Sequence, residues 1–265
     1  MSTRSPAVAG AFYPRDPRTL AAEVRECLGS PVPRRAAFGA IVPHAGYVYS
    51  GAVAGAVYAR LEPPRTAILL GPNHTGLGPA ASIDAHDRWE TPLGEVPVDA
   101  AVAERILASC PHLDRESMAH AREHSLEVQL PFLQIWSPGA AIVPICIGAP
   151  SLALCREIGA ACADAAGDGV IVLASSDMNH YESRAVGDAK NAFAFHAIER
   201  VDADGLFAAV VERDISMCGF LPATALLVAG AARGVDRAEV VSRADSGDRT
   251  GDVDSVVGYA GIVVG

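Results

Sequence analysis

Three histidines stand just beyond short apolar runs, a placement suited to metal chemistry. His44 follows Ala40-Ile41-Val42-Pro43, and His74 follows Ala67-Ile68-Leu69-Leu70-Gly71-Pro72-Asn73. His180 closes the stretch from Val170-Ile171-Val172-Leu173-Ala174 through Ser175-Ser176-Asp177. Residues beyond the carboxyl ends of strands in an open α/β sheet tend to converge on one crevice. Imidazole is the commonest protein ligand for transition metals. His44, His74 and His180 are therefore the predicted metal ligands.

Further groups accompany them. Asp177 precedes His180 by three residues, so on a helical turn the two would share a face. Asp177 suits two roles, a partner of the metal or its imidazoles and a helix N-cap. Cys218, in Ser216-Met217-Cys218-Gly219, lies in a loop before a helical stretch, where a thiol can approach a metal. His124, in Glu123-His124-Ser125-Leu126-Glu127, marks a helix start with Ser125 as cap and Glu127 in its first turn. There it is either a proton shuttle facing the cleft or a solvated surface group. His86, His112, His120 and His196 read as structural or solvated. No GxGxxG, Walker A, GxSxG or HExxH pattern occurs.

The elements that must position these groups alternate. Strands are expected at Phe38 to Val42, Thr66 to Leu70, Ala141 to Ile147, Val170 to Ala174, Glu239 to Ser242 and Val256 to Val264. Helices are expected between them: one opened by Asp16-Pro17, then Ser50 to Leu61, a stretch opened by Asp99, and Ser125 to Trp136 with Pro131 inside it. A helix marked by Leu154, Ile158 and Cys162 follows, then Arg184 to Arg200, Asp202 to Arg213 and Pro222 to Ala232. Ala80 to Val98 reads as loops or short antiparallel strands. The expected fold is α/β, a single three-layer α/β/α domain over 1-265 with a mixed central sheet.

Half of the 265 residues are hydrophobic and a fifth are charged, enough for a large core. The net charge of -10 argues against a nucleic-acid partner. The apolar stretch Gly219 to Ala232 is too short to span a bilayer. The six scattered cysteines contain no CxxC pair, and no signal segment is evident, so a cytoplasmic protein is expected.

Taken together the motifs resemble the Memo family, called AmmeMemoRadiSam system protein B in prokaryotes. They are Ala9-Gly10-Ala11-Phe12-Tyr13-Pro14, Val42-Pro43-His44-Ala45-Gly46-Tyr47-Val48-Tyr49-Ser50-Gly51, Gly71-Pro72-Asn73-His74, Glu123-His124-Ser125-Leu126-Glu127-Val128-Gln129-Leu130-Pro131-Phe132, Ser175-Ser176-Asp177-Met178-Asn179-His180-Tyr181 and Met217-Cys218-Gly219. The resemblance implies a fold like that of LigB-like class III extradiol dioxygenases and a metal pocket at His44, His74 and His180. It places Asp177, Cys218 and His124 beside that pocket as catalytic candidates. It implies iron or copper, with Fe(II) first, and a small-molecule substrate; three histidines and water also describe a catalytic zinc site, which makes zinc a lesser alternative. By its name the resemblance also implies radical SAM and AMMECR-like partners. One departure is that no glutamate stands out as the carboxylate of a two-histidine, one-carboxylate iron site. The expected function is a metal-dependent, dioxygenase-like oxidoreductase; the alternatives are a non-catalytic metal-binding or interaction module and a zinc hydrolase.

Overall fold

The computed structural model describes residues 2–265. Its strands are β1 (Thr3–Arg4), β2 (Gly39–Val42), β3 (Thr66–Pro72), β4 (Ala81–Ile83), β5 (Arg88–Thr91), β6 (Gly94–Pro97), β7 (Asp114–Arg115), β8 (Ala141–Ile147), β9 (Val170–Ser175), β10 (His180–Glu182), β11 (Ala238–Asp245) and β12 (Val256–Val264). The helices are α1 (Pro17–Leu28), α2 (Tyr47–Tyr58), α3 (Ala100–Ser109), α4 (Leu130–Trp136), α5 (Leu152–Ala165), α6 (Arg184–Glu199), α7 (Ala203–Glu212), α8 (Phe220–Ala232) and a single turn, α9 (Gly247–Thr250). Helix starts follow the expected chemistry. Asp16 accepts a hydrogen bond from the Thr19 amide with Pro17 in the first turn, and Asp99 accepts one from the Val102 amide.

The main sheet runs β10-β12-β2-β9-β3-β8-β4-β7, with β11 also paired to β12. Its centre, β2-β9-β3-β8, is parallel, and the flanking pairs β12–β2 and β4–β8 are antiparallel. The mixed sheet is thus as expected. A small second sheet, β1-β5-β6, contains the antiparallel hairpin within the Ala80 to Val98 region.

Because side chains alternate across a strand, each central strand feeds two cores. Ile41, Ile68, Leu70, Val143, Val172 and Ala174 pack on one face against α3, α5 and α8. Ala40, Val42, Ala67, Leu69, Ile171 and Leu173 pack on the other against α1, α2 and α4. Burial on both faces explains why these strands read as unbroken apolar runs. Helices therefore cover both sides of one sheet.

Two local expectations are corrected. Ser125 caps no helix: its hydroxyl donates to the Pro72 carbonyl, and a 3-10 turn at Glu127–Gln129 leads into a shorter α4. Asp177 and His180 do not share a helical face, because His180 opens the strand β10. Pairing of β10 with β12 is irregular between His180 and Glu182, and Tyr181 between them takes φ of 60°.

Candidate metal centre

The sheet order explains how distant residues meet. Strands β2, β9 and β3 are neighbours and parallel, with Val42 level with Ser175 and Leu70 level with Ala174. Their carboxyl ends therefore release His44, Asp177 and His74 side by side, on strands spaced about 4.8 Å apart. Cys218 arrives from the opposite direction, ahead of α8. A Cβ on Gly219 would lie 2.2 Å from the Ser175 carbonyl oxygen, so only glycine lets this loop press onto the end of β9. That approach sets Cys218 Sγ 3.1 Å from His44 Nε2.

His44, His74 and Cys218 each offer a ligand atom, and these atoms lie within 4.8 Å of one another. Hydrogen bonding prepares both imidazoles. The Ser175 hydroxyl donates to the Ser125 carbonyl at 2.7 Å, so toward His44 Nδ1, 3.0 Å away, its oxygen is the acceptor. His44 thus carries its proton on Nδ1 and presents the Nε2 lone pair to Cys218. His74 Nδ1 lies 2.8 Å from Glu123 Oε1, which fixes the same tautomer and frees its Nε2.

Glu123 is the residue that sequence reasoning missed. Fully buried, it accepts from the His74 amide at 2.6 Å, from His74 Nδ1 and from the Ser125 amide at 2.9 Å. Burial pushes its carboxyl up, but the bonds from His74 and Ser125 prevail and hold it down at about 2. Glu123, His74 and His124 also form a compact two-histidine, one-carboxylate group. The Glu123 oxygens are already engaged by three N–H donors, which suits Glu123 to orienting His74 more than to ligating an ion. The only sequence signal was Glu123 lying next to His124; its partner is 49 positions away.

A cavity of about 630 Å³ opens over these groups and is lined by Phe12, Tyr49, His124, Asp177, His180 and Tyr259 among others. The structure brings all six predicted site residues to this cavity, but His180 lies outside the compact group that contains Cys218. The His180 ring donates from Nδ1 to the Ser216 carbonyl at 2.7 Å, leaving Nε2 as an acceptor. His124 stacks on His74 with ring centroids 4.5 Å apart, and Phe12 packs on it at 4.6 Å. Asp177 Oδ1 accepts from the His44 amide at 2.8 Å.

Burial dominates the electrostatics of the cleft. Burial, then the neighbouring imidazoles, pushes His44 well below the usual histidine range. Burial also lowers His180, and lowers His124 to about 4. The Asp177 carboxyl is raised by burial to about 7. Burial, then the Asp177 charge, keeps the Cys218 thiol protonated well above its ordinary range. Neutral imidazoles are what a metal requires, and the thiol must lose its proton to join them.

Among the described residues no helix is long and apolar enough to cross a membrane. The fold and this cleft define an α/β protein with imidazole and thiol donors gathered at the carboxyl ends of its central strands. Residues 4–263 match the Memo-like protein family, so the chain belongs to that family. MEMO1 family proteins of Methanosarcina acetivorans and Thermotoga maritima are 41% and 37% identical to it, the first covering 100% of both chains and the second 98% of this chain and 99% of its own. The crystal structure of an uncharacterized Escherichia coli K12 protein superposes with a TM-score of 0.55 at 16% identity, over 77% of this chain and 88% of that one. At that identity the likeness is one of fold alone.

Proposed function

We propose that the protein is a mononuclear metal-binding oxidoreductase that acts on a small molecule. The observation carrying this reading is the convergence of His44 Nε2, a ring nitrogen of His74 and Cys218 Sγ beneath an open cavity. Two neutral nitrogens and one thiolate suit Fe(II) or copper, the thiolate favouring softer ions such as Cu(I). Three protein donors leave room for exogenous ligands, and a bound redox metal would supply electron transfer to and from a small molecule held there. The chain does the rest. Glu123 and Ser175 aim the two imidazoles. His124, held neutral at pH 7 by burial, and His180, whose basicity burial also lowers, line the cavity and would take a proton from a bound hydroxyl. Phe12, Tyr49 and Tyr259 give the cavity wall an apolar character suited to a small organic molecule.

The test is anaerobic loading with Fe(II) or Cu(I) followed by elemental analysis. One ion per chain is expected, and His74→Ala should abolish stoichiometric binding while the far-UV circular dichroism is kept. Unchanged metal content in that variant would overturn the proposal. Oxygen consumption by the loaded protein across a panel of catechols and aminophenols then separates an oxidoreductase from a non-catalytic metal-binding module.

A further inference from the structure

Residues 4 to 13 form a strap that brings Phe12 to the cavity, and one buried carboxylate gathers four of its donors. Glu127, fully buried, accepts from the Arg4 guanidinium at 2.6 Å, the Ala7 amide at 2.8 Å, the Val8 amide at 3.0 Å and the Tyr13 hydroxyl at 2.7 Å. All four donors belong to the strap. Arg4 also donates to the carbonyls of His120 and Glu123, joining the strap to the segment that carries Glu123 and His124. Between these anchors the chain turns through Gly10 at φ of 89°, and Phe12 lines the cavity. The Phe12 carbonyl then accepts from the Tyr47 amide beside the His44 turn, and its ring packs on His124.

We propose that Glu127 is a positioning residue: it latches the strap so that Phe12 holds His124 over the cleft. The proposal builds on the cavity as the working site, yet its test does not need a metal. A glutamine at 127 has one acceptor oxygen for four donors, and its amide group would face two of them donor against donor. The strap should then open often enough to free the His124 ring.

The readout is the rate at which diethyl pyrocarbonate modifies each histidine, followed by peptide mass spectrometry on the metal-free full chain. Glu127→Gln should speed modification of His124 about tenfold, and Phe12→Ala at least as much. The exposed His112 and His196 should keep their wild-type rates, and His44, whose ring meets that of His124 at 5.4 Å, should rise less than His124. Tyr13→Phe, which removes one bond and keeps the ring, should give a smaller increase at His124 alone, and it carries the test if Glu127→Gln does not fold. A His124 rate unchanged in a folded Glu127→Gln, or in both Phe12→Ala and Tyr13→Phe, overturns the latch, as does a rise shared equally by His112 and His196. Failure of wild-type protein to bind metal would remove the proposed function without altering these rates.

Discussion

Replacing Glu123 with glutamine separates the role of the carboxylate from the role of its shape. Its two oxygens serve the His74 amide, His74 Nδ1 and the Ser125 amide, all in a fully buried setting. With the glutamine oxygen at the Oε1 position, His74 Nδ1 and Ser125 keep their acceptor. The amide NH2 then meets the His74 backbone N–H, and one stranded buried donor costs about 1–3 kcal/mol. A second route gives a similar size. The carboxyl sits at about 2 in the folded protein against an ordinary 4.5. At 1.36 kcal/mol per pH unit that difference is worth about 3 kcal/mol, present above pH 4.5 and lost as pH falls through about 2. Urea denaturation of metal-free Glu123→Gln at pH 7 should therefore show a loss of about 2–3 kcal/mol. Metal affinity, measured by competition with a chelator, should fall about 10–100-fold as the His74 ring loses its tether. A variant with wild-type stability and an affinity within about twofold would refute the reasoning that Glu123 orients this ligand.

Two further outcomes follow from the titrating groups. At pH 8, metal loading should release about one proton per chain, from the Cys218 thiol, and Cys218→Ser should release none; calorimetry in two buffers of different ionisation enthalpy reads this, and no release from wild type would exclude the thiolate as a ligand. Burial keeps Asp177 protonated to about 7 in the folded state against an ordinary 3.8, so its contribution to stability is full below pH 3.8 and declines as pH rises through 7. Asp177→Asn retains an acceptor for the His44 amide, so the stability of the metal-free variant relative to wild type should be higher at pH 8 than at pH 5 by up to about 3 kcal/mol. An identical pH profile for both proteins would contradict it.

The strands that build the cleft were legible because burial on both faces leaves uninterrupted apolar runs, and the turns after them contain the histidines. That pattern singled out His44, His74 and His180 alike, and the first two lie with Cys218 in the compact donor group. Two other features were hidden for physical reasons. Glu127 reads as the acidic first turn of a helix and Glu123 as a residue ahead of its cap; only packing between the strap, the His74 turn and this segment buries them. The spacing of Asp177 and His180 suggested one helical face, but backbone pairing with β12 decided in favour of a strand. Cys218 gave no periodic signal, since its place depends on Gly219 meeting β9.

The order of strands in the sheet also has an evolutionary corollary. The donors of the compact group rest on turns after β2 and β3 and on the loop ahead of α8, all anchored to the centre of the sheet. Much of the outer rim, including Tyr181, Ser216 and Val257, comes from the β10–β12 margin and the chain leading to Cys218. Selection can therefore reshape what enters the cavity by exchanging peripheral residues, while the groups that would grip an ion stay fixed to the doubly covered central strands.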